Sequence, residues 1–269
     1  MTPEAAQIAL GVDAWGLNQL VALGEFAQAL DERSVKRLAE QRRRVRTQAL
    51  KDLAEIDGLH LAPSSSDAPV IAAPEAVELP EDFDRPAVFL DACVLAGAVR
   101  RHLVLALADA GFFYPRWSEK VLFETGHAHA RIVDGKPDRD GPGEAARLVL
   151  ALEHAYPEAL VPTEDAMAVK VTGKLPDPDD AHVMQAASAG QARVILTENM
   201  KDFPRATLKP LGLYARPSGD FIASRLGLAP EAARAALLSA AHRLGLSAPR
   251  FALALQRSRL GSLAKKLGI

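Results

Sequence analysis

The stretch AVFLDACVL, residues 87–95, joins a short apolar segment directly to an acidic residue. Residues 87–90 are all apolar, which predicts a buried β-strand. In a parallel α/β sheet, ligands bind beyond the carboxyl ends of the strands, so Asp91 occupies a candidate site. A carboxylate beside a core strand is costly unless it is paired or binds a metal. Two interpretations stay open: Asp91 is a functional acid, or it caps the helix that follows.

Further strand and helix patterns alternate after this stretch. Two more apolar segments, RVILT (193–197) and LYA (213–215), are predicted to be strands. Helices are predicted around residues 96–110, 117–131 and 144–155, and in the run that ends at residue 190. Strands that alternate with helices predict an α/β fold with a mostly parallel sheet covered on both faces.

Composition is that of an ordinary globular protein. The chain has 269 residues, of which 49% are hydrophobic and 25% charged, enough for one sizeable domain and a smaller one. The net charge of −2 argues against a general polyanion-binding protein. The single cysteine, Cys93, excludes an internal disulfide, and neither a transmembrane-length apolar run nor a signal-peptide pattern is visible. We therefore expect a cytoplasmic protein without a membrane partner.

The charge distribution and turn residues divide the chain into four parts. We predict a small all-α domain at residues 1–61, a linker rich in Pro, Ser, Ala and acid at 62–86, an α/β domain at 87–226 and a helical extension at 227–269. Within the first domain, apolar residues at helical spacing predict an amphipathic helix. Its basic segment RRRVR, Arg42–Arg46, either contacts nucleic-acid phosphates or forms a solvated face.

The segment PDPDDAHVMQAASAG, residues 176–190, places three aspartates ahead of a predicted helix. Because one carboxylate suffices to cap a helix, Asp180 is available as a metal ligand. Carboxylates that gather at one sheet edge repel one another without a cation, and Mg²⁺ and Mn²⁺ prefer oxygen ligands. The predicted Mg²⁺ or Mn²⁺ ligands are Asp91, Glu124, Asp180, Asn199 and Asp202, of which the first four are also predicted to be catalytic.

With these residues in place, the α/β domain resembles the PIN-domain ribonucleases, in particular the toxins of bacterial toxin–antitoxin pairs. The matching segments are VFLDACVL (88–95), WSEKVLFE (117–124), PDDAHVMQAA (178–187) and VILTENMKDFP (194–204). The resemblance implies a PIN-like α/β/α fold and a metal-dependent endoribonuclease that cleaves single-stranded RNA. It also implies that the acids Asp91, Glu124 and Asp180 bind metal, and it places Asn199 where many members have Asp.

The N-terminal segment is similar to the excisionase-type helix-turn-helix of some antitoxins. The similarity is carried by TPEAAQIALGV (2–12), Leu17 and LVALG (20–24). It implies a regulatory segment fused to the nuclease, with DNA as a further partner. Two alternatives stay open: a separate antitoxin protein restrains the nuclease, or the linker and the basic helix fold over its groove.

Several other residues have two interpretations each. Arg100, Arg101, Arg116 and Arg193 either hold the RNA backbone or lie on solvated surfaces, and His182 either contacts RNA or is an ordinary helix residue. The apolar residues 112–114 pack either within one core or between the protomers of a homodimer. His127 and His129 are two residues apart on a predicted helix, so they point in different directions and do not predict a zinc site.

Two other function classes compete with the ribonuclease. Phosphotransferases of the haloacid-dehalogenase kind also place a nucleophilic Asp after the first strand, but they carry D-x-D where this chain has Asp91-Ala-Cys93. The second alternative is a catalytically degenerate, nucleic-acid-binding regulator, for which Asn199 is the best support.

Overall fold

A computed structural model describes residues 1–22, 32–57, 68–134, 139–173 and 175–269. Gly24, which closes the predicted helix-turn-helix segment, lies outside the described residues, as do residues 62–67 of the predicted linker.

The centre of the fold is a sheet of parallel strands, which confirms the predicted α/β class. Within the described residues, five strands pair in the order β3-β2-β1-β4-β5, and every pairing is parallel. Both central strands, β1 and β4, are buried along almost their whole length, as expected when helices cover both faces of a sheet. The strands are β1 (Ala87–Leu90), β2 (Tyr114–Ser118), β3 (Leu160–Val161), β4 (Val194–Leu196) and β5 (Tyr214–Arg216).

Helices surround this sheet, and among those that follow β1 the closest packing is of α6 with α7, α8 with α9, and α5 with α12. Those of the larger domain and the C-terminal part are α4 (Ala92–Leu95), α5 (Ala98–Asp109), α6 (Glu119–Asp134), α7 (Gly141–Ala155), α8 (Thr163–Ala168), α9 (Ala181–Ala189), α10 (Arg205–Leu208), α11 (Ser218–Leu228), α12 (Pro230–Arg243), α13 (Ala248–Arg257) and α14 (Ser262–Leu267). The architecture is consistent with a PIN-like α/β/α fold plus a helical N-terminal region. No helix of the described ranges combines the length and apolar character needed to span a bilayer.

Two features differ from the sequence-based expectations. Trp117, predicted to begin a helix, is the fourth residue of β2, and the helix begins at Glu119. The aromatic residues Phe112 and Phe113 are fully buried in the main hydrophobic core. Their packing within one core, and not between protomers, is therefore the interpretation that the structure supports.

The N-terminal helices α1 (Pro3–Leu10), α2 (Ala14–Ala22) and α3 (Glu32–Ile56) form a small core and also join the main one. Helix α3 packs along α7, and its Leu53 is fully buried in the main core. The predicted basic outer face of α3 exists only in part. Arg43 and Arg44 are exposed, whereas Arg46 donates to Glu158 at 3.0 Å and to the carbonyl oxygen of Ala155 at 2.8 Å.

The described part of the linker lies against the C-terminal helices and the amino-terminal edge of the sheet. The Ile71 N–H donates to the Leu246 carbonyl at 2.9 Å, and residues 74–79 line a cavity of about 560 Å³ together with residues 109–111, which precede β2. The hypothesis that the linker covers the nuclease groove is therefore wrong for the residues described, because the candidate acids follow the strands at the carboxyl edge.

Candidate functional site

Asp91 is held in a fixed orientation at the end of β1. Its Oδ1 accepts a hydrogen bond from the Ala92 N–H at 2.7 Å, so the residue does cap α4. Its Oδ2 accepts a hydrogen bond from the Thr197 hydroxyl at 2.7 Å and lies 3.0 Å from the Cys93 thiol. The two interpretations of Asp91 are compatible, because Oδ1 accepts only one hydrogen bond and retains a lone pair that could bind a ligand.

Thr197 was not among the predicted site residues. It is fully buried directly after β4, and its hydroxyl also accepts a hydrogen bond from the Asn199 N–H at 3.0 Å. It therefore links the carboxyl ends of β1 and β4. The signal in the sequence is a hydroxyl residue that ends an otherwise apolar strand segment.

The three aspartates ahead of α9 have different roles. Asp177 caps the short 3-10 turn Pro178–Asp180, because its Oδ1 accepts a hydrogen bond from the Asp179 N–H at 2.9 Å. Asp179 is exposed. Asp180 makes no capping hydrogen bond with its side chain, so its carboxylate remains available at the edge of the sheet. One aspartate caps and another stays available, as the sequence predicts.

The pKa of Asp180 is raised by its burial and by two neighbouring acids. Burial and, after it, the negative charges of Asp202 and Asp91 raise the pKa of Asp180 to about 6, against a smaller lowering by His182. Asp180 is only half-buried, so the effect is moderated by solvent. The pKa shift nevertheless shows that the carboxylates following β1, preceding α9 and following β4 share one electrostatic environment.

The region after β4 shows how the chain compensates for the neutral Asn199. The side-chain amide of Asn199 donates to the carboxylate of Asp202, which is almost fully buried. Asp202 lies three residues after Asn199, and among the neighbouring charges it contributes most to the raised pKa of Asp180. The fourth position of the site is thus an Asn–Asp pair with a carboxylate charge.

Glu124 lies on α6, where it contacts His182 in the first turn of α9. Its Oε1 lies 3.2 Å from His182 Nε2, two residues after Asp180. The neighbouring Val121 and Leu122 are buried, as predicted, and Glu124 is partly exposed at the rim of the site. The structure therefore places all five predicted residues at the carboxyl edge, with Glu124 joined through His182.

Glu198 directly follows Thr197 in the chain, but its side chain points away from the candidate acids. Its Oε1 accepts hydrogen bonds from the Ser218 N–H at 3.0 Å and the Ser218 hydroxyl at 2.5 Å, and Arg100 Nε lies 3.3 Å away. This pairing occupies Arg100 as well, so neither side chain is available to the site.

Two other arginines are buried, so neither of their two interpretations, RNA contact or a solvated surface, holds. Arg101 is fully buried and donates to Asp57 at the end of α3. Arg116 is fully buried as well, donates to Asp13 and lies over the Trp15 ring at 4.3 Å. Both guanidinium groups bind the N-terminal helices to the sheet domain. Arg193 is exposed but precedes β4, so it lies at the amino edge, away from the acids.

The donor chemistry of the site fits a hard divalent cation. Its side chains offer oxygen ligands, and a cation would offset both the burial and the neighbouring negative charges that raise the pKa of Asp180. Across the ranges that the structure describes, no three His, Cys, Asp or Glu side chains are close enough together to hold a metal ion. The structure thus shows shared charge among the acids and not a formed coordination shell.

Comparisons with known proteins agree with this geometry. A family model described as PIN domain matches residues 87–201, which contain β1 to β4 and most of the acids. A Mycobacterium tuberculosis protein named "Putative ribonuclease VapC50" is 42% identical over 59 residues, which are 22% of this chain and 35% of that protein. The matched region thus spans about a third of the length of that relative. No solved structure matches the chain significantly. The resemblance to PIN-domain proteins is confirmed for residues 87–201.

Proposed function

We propose that the chain is a metal-dependent endoribonuclease that cleaves single-stranded RNA, because residues 87–201 match a PIN-domain model. The observation that carries this proposal is the position of Asp91, Asp180 and Asp202 at the carboxyl edge of the sheet, and the contribution of two of these charges to the raised pKa of the third supports it. Titratable groups whose pKa is perturbed by close neighbours are typical of functional sites. The name of the Mycobacterium relative supports the same reaction class.

Asp91, Asp180 and Asp202 are the residues that would hold Mg²⁺ or Mn²⁺ after a closer approach of their carboxylates, with Glu124 and Asn199 at the rim. A divalent cation bound there supplies positive charge for the scissile phosphate and lowers the pKa of a water molecule. The chain itself orients the acids. Thr197 fixes the Asp91 carboxylate, and Asn199 fixes that of Asp202.

The biological role that fits this reaction is that of a toxin in a toxin–antitoxin pair, with a separate antitoxin as its partner. The N-terminal helices do not support the role of a DNA-binding regulator. Residues 1–22 contain no Lys or Arg to contact phosphates, and Trp15 of α2 is buried against Arg116. We propose instead that these helices stabilise the nuclease domain through buried ion pairs and packing.

A catalytically degenerate regulator is the second candidate, because Asn199 and the open arrangement of acids favour it. Both candidates predict RNA binding, but only the nuclease predicts cleavage. The test is incubation of a mixed-sequence single-stranded RNA with purified protein in Mg²⁺, Mn²⁺ or EDTA.

We expect cleavage in either metal, none in EDTA, and a loss of at least about 100-fold in Asp180→Asn. Asp179→Asn is the matched control, because this neighbouring aspartate is exposed and outside the site. RNA binding without cleavage by the wild-type protein in every metal would favour the regulator.

A further inference from the structure

One exposed face of α6 combines aromatic and basic side chains. Phe123 is 67% exposed, an unusual position for a large aromatic residue, and its ring centroid lies 4.4 Å from that of His127 at an interplanar angle of 57°. Lys120 and Arg131 are exposed on the same helix. We call these four residues the α6 stripe.

Helical geometry places the α6 stripe on one side of Glu124. Successive residues are about 100° apart, so Lys120, His127 and Phe123 lie about 40°, 60° and 100° from Glu124 in the same direction. From Lys120 to Arg131 the stripe is about 16 Å long. It is therefore a continuous surface and not a scatter of separate side chains.

This surface borders the candidate nuclease site. Helix α6 begins directly after β2, at the carboxyl edge of the sheet. Lys120 Nζ lies 3.5 Å from the carbonyl oxygen of Asp179, and Glu124 contacts His182. The stripe thus begins beside the segment that carries Asp180 and leads away from it.

We propose that the α6 stripe binds the unpaired RNA that flanks the scissile phosphate, an inference that rests on the proposed ribonuclease function. Single-stranded RNA is recognised by stacking of its bases on aromatic side chains and by cations along its backbone. Phe123 and His127 supply the stacking surface. Lys120 and Arg131 supply positive charge next to a cluster of acids that would otherwise repel the phosphates.

A second copy of the chain is the alternative binding partner for a surface with an exposed aromatic side chain. The alternation of rings with cations favours RNA, because the centre of a protein–protein interface is depleted in charge. In the sequence, the alternation of rings and cations is visible as Lys120, Phe123, His127 and Arg131 at spacings of three and four residues, but ordinary solvated helix faces share such spacings. The exposure of Phe123 in the structure distinguishes the α6 stripe from an ordinary solvated face.

The test measures stacking directly. A short oligoribonucleotide that contains 2-aminopurine is titrated with the Asp91→Asn protein, which binds without cleaving, in Mg²⁺. We expect quenched 2-aminopurine fluorescence on binding. Phe123→Ala in the same background should lose the quenching and about tenfold in affinity, and Phe123→Trp should retain both.

Ile132→Ala is the matched control, because Ile132 is 50% exposed on the same helix but about 180° away from Phe123. It should change neither quenching nor affinity. Unchanged quenching and affinity in Phe123→Ala would overturn the proposal, as would dissociation of a dimer by Phe123→Ala without an effect on RNA binding. Failure of the proposed function gives a different result, namely wild-type protein that does not cleave RNA in any metal, whatever the effect of Phe123→Ala on binding.

Discussion

Replacement of Asp180 by Asn should stabilise the metal-free protein near neutral pH, although it removes a proposed catalytic acid. Burial and the charges of Asp202 and Asp91 raise the pKa of Asp180 from 3.8 to about 6. The difference between these pKa values corresponds to about 3 kcal/mol at a pH above both. Because Asp180 is only half-buried, solvent screening reduces the expected gain in the free energy of unfolding to about 1 kcal/mol.

The pH dependence gives the sign of this effect. Between about pH 4 and 6 the folded state binds a proton at Asp180 more tightly than the unfolded state does. Stability from this group is therefore greatest at low pH and is lost as the pH rises through about 6. The stabilisation by Asp180→Asn should be complete near pH 7.5 and absent near pH 4.

Urea unfolding in EDTA, at both pH values, measures the difference. Asp179→Asn is the matched control, since this exposed neighbour is expected to change stability by less than about 0.5 kcal/mol. A loss of stability in Asp180→Asn at both pH values would refute the reasoning, because it would mean that the charged carboxylate makes net favourable contacts in the absence of metal.

Three further predictions concern the N-terminal helices and the orientation of the acids. Leu53→Ala removes a fully buried side chain and should cost about 2–5 kcal/mol in urea unfolding, against less than about 0.5 kcal/mol for the exposed Val45→Ala; equal costs would mean that α3 is not packed into the main core. Burial lowers the pKa of His102, so below about pH 6.5 the unfolded chain gains a proton that the folded chain lacks, and stability falls by up to about 1.4 kcal/mol per pH unit. His102→Gln should remove this slope, and an unchanged slope between pH 6.5 and 5 would assign it to other groups. Thr197→Val removes the hydrogen bond to Asp91 and should slow RNA cleavage about tenfold at unchanged RNA affinity, as single-turnover rates would show; an unchanged rate would exclude an orienting role.

The sequence predicts the central strands well because their residues are uniformly apolar. β1 and β4 are confirmed within one residue, since burial on both faces leaves an uninterrupted hydrophobic run. β2, by contrast, reads YPRWS and contains a proline and an arginine. The arginine is buried because Asp13, 103 residues earlier in the chain, binds it. A contact at that separation leaves no local pattern, so this strand was not predicted.

In the candidate site, too, local features could be predicted from the sequence and contacts between side chains could not. The positions of Asp91 after a strand and of Asp180 before a helix were predictable, because strand ends and helix starts are local features; their roles as ligands stay a prediction. The compensation at the fourth position was not predictable, because it depends on a hydrogen bond from the Asn199 amide to Asp202. Neither interpretation of Arg101 and Arg116 holds, for a related reason: both look like surface residues until the N-terminal helices supply their partners.

The central claim is that the acids at the carboxyl edge form a metal-dependent ribonuclease site. The measurement that tests it most directly is the single-turnover cleavage rate of single-stranded RNA by EDTA-treated protein, before and after addition of Mn²⁺. Wild-type protein and Asp84→Asn, an exposed acid ahead of β1, should gain cleavage on addition of Mn²⁺, and Asp91→Asn should not. Cleavage by Asp91→Asn at the wild-type rate, or cleavage that persists in EDTA, would contradict the claim.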